Sequence, residues 1–79
     1  MIYYRLENRC NQRYYKIILS KDLFNEWMIT KAWGSLNNAS GRIMHVHVPS
    51  YELAMLRIVK LLKVKQKRGY HVCEPAVTA

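Results

Sequence analysis

The chain has 79 residues, with thirteen Lys and Arg against five Asp and Glu, a formal net charge of +8, and 51% hydrophobic residues. A chain this short buries only about 60% of the surface that its unfolded form exposes, which leaves room for one core and not for a large enclosed active site. No stretch approaches the roughly 20 apolar residues that span a bilayer, so we expect no membrane-spanning segment, no secretory signal and a cytoplasmic location.

Four segments before the first proline have the composition of β-strands. Residues 2–8 alternate apolar and polar side chains with the period of a half-buried strand, and residues 14–20 are rich in β-branched and aromatic residues. Residues 26–33 alternate in the same way, and residues 42–48 follow residues 34–41, a segment rich in Gly and Asn that favours a hairpin turn. Consecutive strands with short connections predict an antiparallel meander.

A helix is predicted from Tyr51, because Pro49 ends the preceding strand and Ser50 can cap a helix N-terminus. Its apolar residues recur at helical spacing at Ala54, Met55, Ile58, Leu61 and Leu62. Gly69 is expected as the C-cap, and residues 70–73 as a short fifth strand. The predicted fold class is α+β, an antiparallel four- to five-stranded sheet with one helix packed across one face.

The acidic and nucleophilic residues form no catalytic pattern. Asp22, Glu26 and Glu52 fall in separate predicted elements, and no nucleophile carries a recognisable signature or a phosphate-binding glycine loop. Cys10 and Cys73 are far apart in the sequence and lack the spacing of a metal or redox motif, so we expect free thiols. The chain is therefore predicted to be non-catalytic and to use no cofactor.

The histidines are the only candidates for a metal site. His45 and His47 point to the same face of their predicted strand, and His71 can approach from the last segment. Three imidazoles can bind zinc, but the third ligand has no spacing signal, and histidines that simply meet solvent give the same pattern. We therefore predict no metal site.

Positive charge on the predicted helix is the strongest functional signal. No acidic residue occurs between Glu52 and Glu74, whereas solvated helical faces usually intersperse both signs. The cations opposite the apolar stripe are Arg57, Lys60, Lys63 and Lys67. This pattern favours a surface that binds polyanions, with plain solubility as the alternative. Binding to a membrane surface is disfavoured, because the apolar stripe of the helix is needed to cover the sheet.

Trp33 raises a separate question about its role. It shares a strand face with Trp27 and Ile29, but it lies at the strand's end, before a polar loop that contains glycine. An aromatic side chain near cations such as Lys31 and Arg42 can stack on a base or sugar while the cations hold phosphate. A tryptophan that closes the core at the sheet edge gives the same pattern. The residue pattern leaves both interpretations open.

Three sequence features in order resemble the WGR domain, a family found in poly(ADP-ribose) polymerases, in some bacterial regulators and as small stand-alone bacterial proteins. They are the QRYY opening at residues 12–15, the Trp-Gly pair at residues 33–34, and the helix end Lys65-x-x-x-Gly69-Tyr70. The resemblance is strongest over residues 11–70 and makes residues 1–79 a single WGR-like domain. It implies an antiparallel sheet crossed by one helix.

The resemblance also implies a nucleic-acid site. In the polymerases the motif tryptophan packs against a sugar at a DNA break, and nearby basic and amide side chains contact the backbone. Combined with the cations near Trp33, the predicted nucleic-acid-binding residues are Gln12, Arg13, Lys31, Trp33, Ser35, Arg42 and Tyr70. Ser35 stands where the motif has arginine, and it can supply neither charge nor a bidentate fork. Arg42, across the predicted hairpin, is the expected substitute.

The predicted function is a non-catalytic module that binds nucleic acid, DNA rather than RNA, through an exposed tryptophan and basic residues. The alternative is a protein-interaction module that uses the sheet edge or the loop after Trp33, with the basic helix face serving solubility. The sequence does not distinguish single from double strands, and it gives no oligomeric state.

Overall fold

The structure is a computed structural model that describes residues 2–37 and 41–77. Its elements, in chain order, are β1 (Ile2–Asn8), β2 (Arg13–Lys21), β3 (Trp27–Ser35), β4 (Gly41–Val48), α1 (Tyr51–Lys67) and β5 (His71–Val77). The strands form one antiparallel sheet in the order β4-β3-β2-β1-β5, and α1 packs across one face. The predicted α+β fold class is confirmed.

The motif around Trp33 lies inside a strand rather than in a turn. β3 extends beyond the predicted end, because Gly34 and Ser35 pair with Tyr14 and Arg13 of β2. The turn predicted over residues 34–41 is therefore shorter than expected, and its residues 38–40 lie outside the described residues. The ladder with β2 thus continues through the motif.

The last strand is longer than the predicted residues 70–73. It runs as His71–Val77 and pairs with β1 at the sheet edge opposite β4, with a register shift at Arg5 and Leu6. Glu74 and Pro75 are disfavoured in strand interiors, which hid this strand from the pattern. An edge strand tolerates them. Proline lacks a backbone N–H, and an N–H on the outer side of an edge strand has no partner in the sheet.

The helix begins where the sequence predicted and ends in a Schellman motif. Ser50 Oγ accepts a hydrogen bond from Leu53 N at 3.2 Å. Gly69 was predicted as the C-cap, but the C-cap is Arg68, and Gly69 follows it by one position with φ of 95°. Tyr70 N bonds Lys65 O at 3.0 Å, and Gly69 N bonds Gln66 O at 3.1 Å. Within the described ranges, no helix combines the length and apolar character needed to cross a membrane.

The core lies between α1 and the inner faces of β1, β2 and β3. Its buried side chains are Ile2, Leu6, Tyr15, Ile17, Leu19, Ile29, Val48, Ala54 and Ile58. A helix is about 10 Å wide, whereas five strands about 4.8 Å apart span nearly twice that width. The inner face of β4 is therefore covered only near Val48, and Met44 remains 48% exposed. An open strip of the inner sheet face lies beside the helix.

Asn8 is a buried polar residue that joins three segments. Only 3% of the Asn8 surface is exposed to solvent. Nδ2 donates to Arg68 O at 3.0 Å, and Oδ1 accepts from Asn11 N at 3.2 Å. A Cβ atom at Gly69 would lie 3.2 Å from Asn8 Nδ2. The end of β1, the following turn and the helix C-terminus are thus held together by one amide.

We expect Asn8→Ala to lower the free energy of unfolding by about 1–3 kcal/mol, because it leaves two backbone groups without their partner. Urea denaturation measures the loss. The matched control is Asn11→Ala, the same change at an exposed side chain, which should stay within about 0.5 kcal/mol of the wild type. Equal losses in the two variants would contradict the role given to the buried amide.

Candidate nucleic-acid interface

A groove follows the strip that α1 leaves uncovered, and it consists of three adjoining hollows. The apolar groove lies between α1 and the middle of β3 and β4. The aromatic hollow comes next and shares Lys31 with it. The hairpin hollow, beside the β3–β4 turn, shares Arg13 and Trp33 with the aromatic hollow. The three hollows therefore adjoin one another through the residues that they share.

Trp33 closes one end of the core and also lines two of these hollows. Its ring is half-buried and stacks on Tyr15, with centroids 5.9 Å apart and planes inclined by 13°. Tyr15 is buried, and Tyr70 meets it edge-on at 6.4 Å. The same ring lines the aromatic and hairpin hollows. The two interpretations of Trp33 that the pattern left open are therefore compatible in one side chain.

Lys65 lies in the aromatic hollow among aromatic rings and other cations. Its Nζ is 4.3 Å from the centroid of Tyr15 and 5.5 Å from that of Tyr70. Partial burial lowers the pKa of Lys65, and the positive charges of Arg68 and Lys31 lower it further. An ammonium group in this setting is stabilised strongly by an arriving anion, because the anion offsets both effects.

The predicted set of site residues does not include Lys65. Helical spacing places it on the same side as Ile58 and Leu61, where a lysine looks misplaced among core positions. A charged residue at a core position of the helix was therefore the sequence signal that could have identified Lys65. A long side chain resolves it, because its methylenes cover the core while the ammonium reaches the hollow.

The structure brings together every predicted contact residue except Gln12. The aromatic hollow contains Arg13, Lys31, Trp33 and Tyr70, and the hairpin hollow contains Arg13, Trp33, Ser35 and Arg42. Gln12 lies in the β1–β2 turn with φ of 56°, and its Nε2 donates to Arg9 O at 2.8 Å. Its amide thus supports the turn.

Arg42 lies across the hairpin, as predicted, and its role as a substitute for the motif arginine stays a prediction. It is the cross-strand partner of Trp33 and lines the same hollow as Ser35. Ser35 Oγ accepts a hydrogen bond from Asn37 N at 3.1 Å, which uses the hydroxyl to hold the turn. Arg42 is therefore the charged group of the hairpin hollow nearest in register to Trp33.

The cations predicted as one basic helix face divide between two surfaces. Arg57 and Lys60 flank the apolar groove, whereas Lys63 and Lys67 are exposed away from it. Apolar side chains are exposed among them at Leu53, Leu56, Val59 and Val64. The outer surface of α1 is thus mixed rather than purely basic.

The histidines lie apart from this groove. His45 Nδ1 is 3.0 Å from Thr30 Oγ1, and His47 Nε2 is 2.9 Å from Asp22 Oδ2. His71 is in β5, at the other edge of the sheet from β4. The ligand atoms of Asp22, Glu26 and His47 fall within 4.8 Å of one another, but the Asp22 carboxylate already accepts backbone and imidazole hydrogen bonds there.

An antiparallel five-stranded sheet crossed by one helix, with an open groove of aromatic and basic residues, defines a small α+β binding module. The model of the WGR domain matches residues 2–76, and the chain belongs to the WGR domain family. The match reaches beyond residues 11–70 into β1 and β5. No curated protein and no solved structure matches the chain. The domain binds nucleic acid in poly(ADP-ribose) polymerases and related proteins, and it is a binding module rather than a catalytic domain.

We expect the Lys65 ammonium to titrate below the usual lysine value of 10.5, as read from its side-chain NMR shifts against pH. Because the unfolded chain then holds more protons between the folded and unfolded pKa values, this titration adds stability as pH rises through that window. Lys31→Met should raise the Lys65 pKa only partly, since burial is the largest cause. A Lys65 that titrates at or above the usual lysine value would contradict its placement.

Proposed function

We propose that this WGR domain is a cytoplasmic module that binds the sugar–phosphate backbone of nucleic acid, DNA rather than RNA, at the Trp33 end of its groove. The aromatic hollow carries this proposal. Trp33 faces the same space there as Arg13, Lys31 and Lys65, and the described residues that line it include no acidic side chain. An aromatic platform beside clustered cations is the combination that a nucleotide requires.

The stack on Tyr15 prepares Trp33 for such a ligand. The tryptophan ring is already fixed by a buried neighbour, so little side-chain freedom remains to be lost on binding. The ring can therefore contribute stacking of about 1–3 kcal/mol with little offsetting entropy.

The cations supply binding that does not depend on sequence. Lys65 gains most from a phosphate, because the anion offsets its burial and its repulsion by Lys31 and Arg68. Arg42 and Arg13 extend the positive surface into the hairpin hollow. Cations and aromatic rings line the aromatic hollow and suit phosphate and sugar, so backbone contacts dominate the proposed complex.

The alternative function is a protein contact at the β4 edge of the sheet. β4 is an outer strand, and its Ile43 is 68% exposed. An unguarded edge can pair with an extended peptide. This function predicts no dependence on the cations of the aromatic hollow.

We expect binding to a short DNA duplex to weaken with salt, with a log–log slope of about −4 to −5 for contacts to four to six phosphates. Fluorescence anisotropy at several salt concentrations measures the slope. A duplex whose ends are closed by hairpins serves as the comparison, and we expect at most a several-fold preference for the open end, because Ser35 replaces the motif arginine. A flat salt response would favour the protein-contact alternative.

We expect Trp33→Ala to weaken DNA binding by about 1–3 kcal/mol through lost stacking. The matched control is Trp27→Ala, because Trp27 is also half-buried in β3, packs on Tyr51 and carries Lys21 over its ring. Both variants should lose stability, since each tryptophan packs against the core, but only Trp33→Ala should lose affinity per folded molecule. Equal losses of affinity would contradict the site. Binding is measured where circular dichroism shows both variants folded.

A further inference from the structure

The loop between β2 and β3 presents two large apolar side chains to solvent. Leu23 is 100% exposed and Phe24 is 83% exposed. Single exposed apolar residues are common on protein surfaces. Two adjacent large ones form a small apolar patch, whose burial would be stabilising. We name this pair the apolar tip. It lies at the Trp27 end of β3, remote from the proposed nucleic-acid site.

Hydrogen bonds hold the backbone of the loop that carries the apolar tip. Asp22 Oδ1 accepts from Phe24 N at 2.8 Å and from Glu26 N at 3.0 Å, while Oδ2 lies 2.9 Å from His47 Nε2. Asp22 N also donates to Glu26 O at 2.9 Å, and Asn25 takes φ of 64°. A preformed loop loses less entropy when its tip is buried than a mobile one does.

The same chain carries a surface complementary to this loop. The apolar groove has a volume of about 340 Å³ and is lined by Ile29, Val46, Ile58, Leu61 and Val64. Its rim contains the cations Lys31, Arg57 and Lys60. Glu26, which flanks the apolar tip, is an exposed acid, whereas the Asp22 carboxylate is occupied by hydrogen bonds within the loop. An apolar tip beside an exposed acid thus matches an apolar groove between cations.

We propose that the apolar tip of one copy docks in the apolar groove of a second copy, head to tail. Phosphate binding does not use the apolar lining of this groove, and nucleic-acid stacking does not use the tip. The two surfaces differ, so the contact is heterologous and each pair keeps one free tip and one free groove. Assembly therefore grows with concentration beyond two chains. Salt screens both the repulsion between copies of net charge +8 and the attraction between acids and cations at the contact, so association should depend on salt less steeply than DNA binding does.

Sedimentation of the full chain over a concentration series, without nucleic acid, tests this contact. The tip variant is Leu23→Ser with Phe24→Ser, and the groove variant is Lys60→Glu with Val64→Asp, all at exposed positions. The wild type should gain mass with concentration, and each variant should associate at least about tenfold more weakly. Leu56→Ser, which removes an exposed apolar side chain outside the groove, should associate as the wild type does. Far-UV circular dichroism checks that every variant is folded.

Mixing the two variants gives the decisive result. The tip variant keeps its groove and the groove variant keeps its tip, so an equimolar mixture should form species of two chains and nothing larger. A wild type that stays monomeric at every concentration overturns the proposal. An association that both variants retain also overturns it and points to symmetric pairing of β4 edges. Variants that fail to combine on mixing would also overturn the proposal. A groove that binds acidic apolar peptides of other proteins, but not a second copy of this chain, would overturn it too.

Discussion

One helix has to cover a sheet that is wider than itself, and the binding surfaces of the protein follow from that constraint. α1 buries Ala54 and Ile58 against the inner faces of β1, β2 and β3, which is where a short chain obtains its core. The inner face of β4 is left open toward the hairpin, and Met44 and Arg42 remain exposed there. The groove therefore results from the incomplete coverage of the sheet by the helix, and aromatic and basic side chains border it.

The paired tyrosines of the QRYY segment support the Trp-Gly segment from both faces of the sheet. Tyr15 points inward and stacks on Trp33. Tyr14 points outward, beneath the guanidinium of Arg5 at 5.2 Å, and a Cβ atom at Gly41 would lie 2.7 Å from its hydroxyl. Glycine at the start of β4 thus leaves space for the outward ring. The residues that carry the family resemblance are accounted for by packing, and several of them also line the proposed site.

Much of this fold could be predicted from alternation and capping, because both are local. Ser50 and the strand over residues 2–8 were recognisable from neighbouring residues alone. β5 was predicted too short, since its pairing with β1 comes from a distant segment and overrides the preferences of Glu74 and Pro75. Lys65 was missed as a site residue for a similar reason. Its burial depends on Tyr15 and Tyr70, which only the folded sheet brings to the helix.

The distribution of acids and bases along the molecule gives it a direction. Three of the five acids, Asp22, Glu26 and Glu52, lie at the end that carries the apolar tip and the helix N-terminus. Arg13, Lys65 and the other cations of the hollows lie toward the opposite end, where the acid Glu7 is already paired with Arg5 and Arg9. Such a separation is a permanent electric dipole superimposed on the net charge. In the field of a polyanion the domain experiences a torque that turns its basic end forward before any contact forms. The apolar tip then points away from the polyanion and stays accessible from the solvent.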